Sequence, residues 1–295
     1  MKHAYLIMAH NEPYILERLL KLIDYDDNDI YIHIDKKAKD LKEEDIKKWL
    51  HKSKVYFIPR RDIRWGTNSQ INCTLSLLDV ATNNNHYAYY HFISGIDLPL
   101  KSQKEIHEFF DKHQGKEFVH FYVHRDIDDE RLDRVKYYHL FSGNLRSKSK
   151  IKRFISKKVY YNILKIERLL KIDRIKDKKY MFGANWFSIT DDLARFILSK
   201  KKEIEKEYKY TSCADELVVQ SLIRKTKFYD NLYLKKDDDY KACMRCIDWN
   251  RGTPYTFKKD DFEMLMNSEM FFARKFSSTV DKDIIDMIYS EVSKK

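Results

Sequence analysis

Ala4-Tyr5-Leu6-Ile7-Met8-Ala9-His10, the run from Pro13 to Ile23, and Ile30-Tyr31-Ile32-His33-Ile34-Asp35 form the stretch on which the fold turns. The first run is almost wholly apolar and too short for a helix, so it reads as a buried strand. Pro13 opens a helix in which Ile15, Leu16, Leu19, Leu20 and Ile23 share a face. The third run is a second strand, ending on an acid. Working outward, a helix is expected around Lys42 to Leu50, a strand over Val55 to Ile58, a helix over Ser69 to Ala81 and a strand over Tyr87 to Ser94. Strands alternating with helices make a parallel α/β sheet. Sites in such sheets lie at the carboxyl ends of the strands, which here puts His10, Asp35, Arg60 to Trp65 and Ser94-Gly95-Ile96-Asp97 on one rim.

Beyond Asp97 the pattern loosens. Phe118 to Val123 reads as a strand, Asp129 to Phe141 as a polar, aromatic-rich segment, Met181 to Ile189 as strand-like, Asp191 to Ser199 and Ala214 to Ile223 as helices, and the C-terminal stretch from Asp260 as helical. There is no repeat, low-complexity tract or Pro/Gly-rich linker, so a single domain over residues 1–295 is expected. An insertion is expected at 146–179, in the second of two halves, 1–100 and 101–295.

The chain has 57 Lys+Arg against 46 Asp+Glu, a net charge of +11. With 43% hydrophobic residues, 21 Tyr and 17 Phe it can bury a core, which excludes a disordered chain. The excess charge is confined to residues 146–179, where fourteen basic residues face three acids; the remainder is balanced. Ile155, Val159, Ile163, Ile166 and Leu170 recur within this segment every three or four residues, the mark of a basic amphipathic helix. Its apolar side either packs on the core or rests on an anionic membrane surface. No window reaches the roughly 18 to 20 apolar residues of a membrane span, and the N-terminus turns polar too soon for a signal peptide. The expected location is the cytoplasm, at most peripheral to the inner face of the membrane. Cys73, Cys213, Cys243 and Cys246 do not form a disulfide framework and are read as reduced thiols.

Single motifs leave alternatives open. Ser94 to Leu100 is a turn that aims Asp97 from a strand end, for structure or for a site. Asp215 and Glu216 either complement a helix dipole or act as acids. Cys243-Met244-Arg245-Cys246 has too few neighbouring ligands for zinc, and Asp237-Asp238-Asp239 sits among lysines and reads as a solvated charge run rather than a metal-binding DxD. A nucleic-acid-binding protein lacks a recognisable reading motif here; an inactive membrane-associated scaffold is the other alternative to an enzyme.

Taken in order, Ala4 to His10, Tyr31 to Lys37, Trp65 to Ser69, Ser94 to Leu100, Gly183 to Phe187, Ala214-Asp215-Glu216 and Phe272 to Phe276 resemble the core-2/I-branching β-1,6-N-acetylglucosaminyltransferase family, to which the peptide O-xylosyltransferases are related. The resemblance implies a GT-A-like, Rossmann-type mixed sheet flanked by helices, with 1–100 as the nucleotide-sugar-binding half and 101–295 as the acceptor and catalytic half. It also implies a UDP-sugar donor, inversion at the anomeric carbon, a glycan or lipid-linked glycan acceptor, surface polysaccharide synthesis as the setting, and no required metal or other cofactor. Glu216 matches the base at the end of the family's Pro-Asp-Glu, with Ala214 in place of proline. Lys275 matches the lysine of its Asn-Lys-Phe, which holds the donor diphosphate. A second cation falls at Gly252, beside Arg251, which takes the assignment with Arg245 as the alternative. Met8, Asp35, Trp65, Asp97 and Trp249 are further donor positions. Arg131, Asn185 and Trp186 are acceptor positions. The family's disulfide cysteines are not matched, as suits a bacterial-type relative.

Overall fold

The computed structural model describes residues 1–122, 129–176, 178–235 and 239–294. β1 (His3–Ala9) pairs in parallel with β2 (Asn28–Ile34) and with β4 (Tyr89–Ser94), and β2 pairs in parallel with β3 (Lys54–Phe57). β5 (Leu98–Pro99) leaves the sheet after the Ser94 turn. β6 (Phe118–Val119) and β7 (Phe187–Ile189) complete the far edge, with β7 antiparallel to both β4 and β6. The resulting order is β3-β2-β1-β4-β7-β6. This is the expected GT-A-like mixed sheet, parallel in its first half and antiparallel in its second. β8 (Arg245–Ile247) and β9 (Phe272–Arg274) join β5 in a separate three-stranded sheet.

Both faces of the large sheet are covered, which is why its strands read as nearly unbroken apolar runs. Tyr5, Ile7 and Ala9 pack with Leu16, Leu19 and Leu20 of α1 (Pro13–Ile23) and with the C-terminal helix Asp283–Val292. Ala4 and Leu6 point the other way, into a core shared with Leu75 and Leu78 of α3 (Asn68–Asn84). The short α2 (Glu43–Lys48) contributes Ile46 to the first core. α4 (Gln103–Lys112) is additional to the elements expected from periodicity. Ile106 and Phe110 are its buried apolar residues, with Phe109 half-buried beside them, and its sequence signal is the Ser102–Glu105 capping box. α5 (Asp129–Lys136), α6 (Lys150–Leu169) and α7 (Asp191–Ser199) follow.

Four expected elements differ. The C-terminal stretch from Asp260 is α-helical only at Phe262–Met266 and Asp283–Val292, with β9 between them. The strand anticipated over Phe118 to Val123 is regular only at Phe118–Val119, and residue 123 lies outside the described residues. Met181 to Trp186 is irregular, because Gly183 runs so close to the neighbouring chain that a Cβ there would lie 1.9 Å from the His120 carbonyl oxygen. The helix expected from Ala214 to Ile223 is split into a 3₁₀ turn, Ala214–Glu216, and a helix, Val218–Ile223. Cys213 enters the turn with φ of 48°, its N–H donating to the Gly66 carbonyl at 2.9 Å.

Candidate active site

The parallel strands end at one rim, and a cleft of about 820 Å3 opens there. Met8 shows how the sheet yields to it: it is the one residue of β1 that is not fully buried, and it lies on the cleft floor with His10, Asp35 and Ser94. Phe182 to Trp186 and the Ala214–Glu216 turn form the facing wall, α5 supplies Arg131 and Arg134, and the third side carries Ile247, Trp249, Pro254 and Arg274.

Two adjacent carboxylates face this space. The Glu216 carboxylate accepts from Arg134 Nη1 at 2.8 Å and keeps 30% of its side chain exposed. The surrounding protein strips water from it and raises its pKa, against the opposing pull of Arg134. Asp215 accepts from Asn185 Nδ2 at 3.1 Å and from Gln70 Nε2 at 3.5 Å. Burial first, and the charge of Glu216 second, push its pKa up to about 7. The split turn makes this arrangement possible: the Glu216 carbonyl accepts from Gly183 N at 3.0 Å, which fixes the acids against the Gly183–Trp186 loop instead of on a helix. Neighbouring carboxylates with raised pKa values in a cleft are a mark of proton-transfer chemistry.

The cationic side is built around Arg274. Its guanidinium lies 4.0 Å from the Trp186 ring, and Trp186 stacks in turn on Phe92. Behind it Asp97, fully buried, stands 3.6 Å from Arg274 Nε and accepts from Ser94 N at 2.9 Å. At the mouth Trp65 is 58% exposed and carries the Arg146 guanidinium 3.3 Å above its ring. Asp35 accepts from Lys37 N at 2.8 Å, and Lys37 Nζ lies 3.5 Å from its other oxygen.

Of the residues singled out from the sequence, Met8, Asp35, Trp65, Trp249, Arg131, Asn185, Trp186 and Glu216 all line the cleft. Asp97 lies behind the wall. Lys275 does not line it; the residue before it, Arg274, does. Arg251 is turned away, tied to Asp248 at 2.5 Å and Asp261 at 2.7 Å. Arg245, the alternative, is buried and donates to the carbonyls of Cys243 and Phe187 at 2.6 and 3.0 Å, so its charge is spent inside the protein. Sequence reasoning passed over Arg134 and Arg274. Arg134 had a signal, a basic residue in the polar segment after Asp129, but nothing in the sequence ties it to Glu216. All four cysteines are free. Asp237 and Asp238 lie outside the described residues, and Asp239 accepts from Lys241 N at 2.8 Å as the cap of a 3₁₀ turn.

Residues 3–270 match the family model described as Branch, the Core-2/I-Branching enzyme. The chain belongs to the core-2/I-branching enzyme family. It is thus a glycosyltransferase-family chain. It is 24% identical over 307 residues to xylosyltransferase 2 of Rattus norvegicus, covering 97% of this chain and 33% of that one. Against the xylosyltransferase of Ciona intestinalis the identity is 22% over 303 residues, covering 96% and 33%. The chain therefore spans about a third of the length of these curated relatives, 33% in each case. Among solved structures, apo mouse xyloside xylosyltransferase 1 is similar over 92% of this chain and 96% of that one, at 12% identity and a TM-score of 0.36.

Proposed function

We propose that this chain transfers a sugar, N-acetylglucosamine or a related hexose or pentose, from a UDP-sugar to a glycan hydroxyl in surface polysaccharide synthesis, with inversion and without a metal. The observation that carries the reading is Glu216, a carboxylate of raised pKa held 2.8 Å from Arg134 and open to a cleft at the strand ends. In the reaction the acceptor oxygen bonds to the anomeric carbon as the bond from that carbon to the diphosphate oxygen breaks. The hydroxyl proton passes to Glu216, and the nucleoside diphosphate leaves with the electron pair. Inversion needs one base and no covalent sugar–enzyme intermediate.

Charge that develops on the leaving group is met by fixed cations in this reading. Arg274 takes the role at the cleft, positioned by Asp97 and Trp186; Lys275, the residue matched by the family motif, follows it in the chain. Asp35, Met8, Trp65 and Trp249 serve the donor side, and Arg131, Asn185 and Trp186 the acceptor side.

Glu216→Gln tests the base. Turnover should fall by about 10²- to 10⁴-fold while the thermal shift induced by UDP persists, and a Gln variant with ordinary turnover removes the assignment. The fixed-cation reading expects activity to survive EDTA. Activity abolished by EDTA and restored by Mn²⁺ overturns it. Arg274→Ala should weaken UDP binding and slow turnover together, whereas Arg251→Ala should leave both near wild type.

A further inference from the structure

α6 has one face in use and another that nothing among the described residues covers. Ser156, Tyr160, Leu164 and Glu167 are buried, and they hold the segment that follows α5. Tyr160 and Leu164 pack with Tyr137 and Leu145. The Tyr160 hydroxyl lies 2.7 Å from His139 Nδ1, Tyr138 N donates to Glu167 at 2.8 Å, and Arg168 pairs with Asp133 at 2.7 Å. Of the stripe expected from periodicity, Ile163 is half-buried and the rest is exposed. Ile151, Ile155, Ile166 and Leu169 are 74%, 54%, 54% and 73% exposed, and Val159, Phe154, Tyr161 and Leu170 are exposed as well. At about 3.6 residues per turn, Ile151, Ile155, Ile166 and Leu169 fall on one stripe, with Lys158 and Lys165 along one edge and Lys152 beyond the other.

We infer that this face of α6 docks on an anionic lipid surface and holds the mouth of the cleft against it. Three observations select that occupant. Asn162 apart, the stripe is apolar at its centre and basic at its margins, as in helices that lie in the plane of a bilayer interface. Residues 146–179 carry fourteen basic and three acidic residues, which complements a negative surface. The same charge opposes pairing of two copies through this face, since each copy would bring Lys152, Lys158 and Lys165 to the contact. No helix among the described residues is long and apolar enough to cross a membrane, so α6 lies on the surface. Its N-terminal end leads back to Arg146, stacked on Trp65 at the cleft mouth, and its buried face holds the chain that continues from Arg131 and Arg134. Together with the proposed glycosyl transfer, on which this step rests, the geometry favours an acceptor presented at the bilayer.

The test is co-sedimentation of the full chain with phosphatidylcholine vesicles, with and without phosphatidylglycerol. Binding is expected only to the anionic vesicles at about 0.1 M salt, with loss near 1 M, where the screening length shrinks to about 3 Å. Each surface lysine contributes about fivefold near such a membrane, so Lys158→Glu with Lys165→Glu should weaken binding at least about 25-fold. Ile155→Asp with Ile166→Asp should abolish it. Unchanged circular dichroism, and a UDP-induced thermal shift equal to wild type, show that each variant is folded with its cleft intact. Absent binding, or binding indifferent to both anionic lipid and salt, overturns the inference. So does a concentration-dependent dimer that Ile155→Asp dissolves, which assigns the face to a second copy. Loss of the UDP response in the wild-type chain counts instead against the glycosyl-transfer reading and leaves the vesicle result standing.

Discussion

β1 and α6 are both rich in apolar residues at regular spacing, and they dispose of them in opposite ways. In β1 the two alternating sets face two cores, Tyr5 and Ile7 toward α1, Ala4 and Leu6 toward α3. In α6 the buried side is made by Ser156, Tyr160, Leu164 and Glu167, while Ile151, Ile155 and Leu169 face outward. The physical difference is the number of neighbours. A central strand has a strand on each side and a helix layer on each face, all supplied by the same chain. A helix on an excursion touches the body along one line and is free elsewhere. Apolar periodicity therefore reports that a stripe exists, and only the surrounding chain decides whether anything covers it.

The largest effect that can break this comparison is in the body. Leu20, fully buried in α1, should lose about 2–5 kcal/mol of stability on change to Ala, through lost burial and the cavity left behind. Urea unfolding measures it. A loss below about 1 kcal/mol would mean that the sheet layers are no better packed than the excursion.

Next comes Asp215 at the cleft, held by Gln70 of α3 and by Asn185. Its pKa rises from 3.8 to about 7 on folding, so the folded state holds the proton more tightly than the unfolded chain does. Stability from this group is therefore lost as pH rises from about 4 to 7 and stays lost above. Asp215→Asn keeps a neutral acceptor for Asn185 and should be more stable than wild type at pH 8. The gain is on the order of 2 kcal/mol once solvent at the cleft is allowed for, and it should vanish near pH 4. Thermal melts at the two pH values decide it, and an equal difference at both rules out titration of Asp215 as the source.

A smaller effect is expected at the contact that joins α5 to the Ala214–Glu216 turn. Arg134→Ala removes the cation 2.8 Å from Glu216, whose pKa then rises further. The ascending limb of the pH–rate profile should move to higher pH, with a loss at neutral pH of about 1 kcal/mol, several-fold in rate. Arg134→Lys keeps a charge there and should move the limb less. An unmoved limb in the Ala variant would separate the excursion from the chemistry.

The same contrast explains what could be read from the sequence. Of the elements up to Ser94, β1, β2 and β4 were legible because both of their apolar sets are buried, and the helices because each shows an apolar stripe; the half-exposed edge strand β3 shows only the short run Val55 to Ile58. Glu216, Asp35, Trp65 and Trp186 could be singled out by the order of short motifs along the chain, and all four reach the cleft. The partners of those residues were not legible. Arg134 meets Glu216 only because Cys213 turns left-handed against Gly66 and because Gly183 passes close to His120. Arg251 is one residue from a motif position, but spacing says nothing of Asp248 and Asp261, which hold its guanidinium outside. In α6, Tyr160 and Glu167 are buried through hydrogen bonds to His139 and Tyr138, and no apolar pattern can forecast a face chosen by polar contacts.

The smallest expected effect is the sharpest on that last point. Ile155 lies on the open stripe of α6, 54% exposed, and Ile155→Ala removes apolar surface that is in water in both the folded and the unfolded chain. Little transfer free energy is then at stake, and alanine is the better helix former by a few tenths of a kcal/mol. The variant should melt within about 0.5 kcal/mol of wild type in solution or slightly above it. Leu164→Ala, nine residues along the same helix but buried against Tyr137 and Tyr160, should be clearly destabilised. Equal losses at the two positions would mean that the outer stripe is covered in solution by another copy or by chain outside the described residues. An unchanged melt for Ile155→Ala, combined with weaker vesicle binding, would mean that the stripe is kept for a partner the isolated chain does not contain.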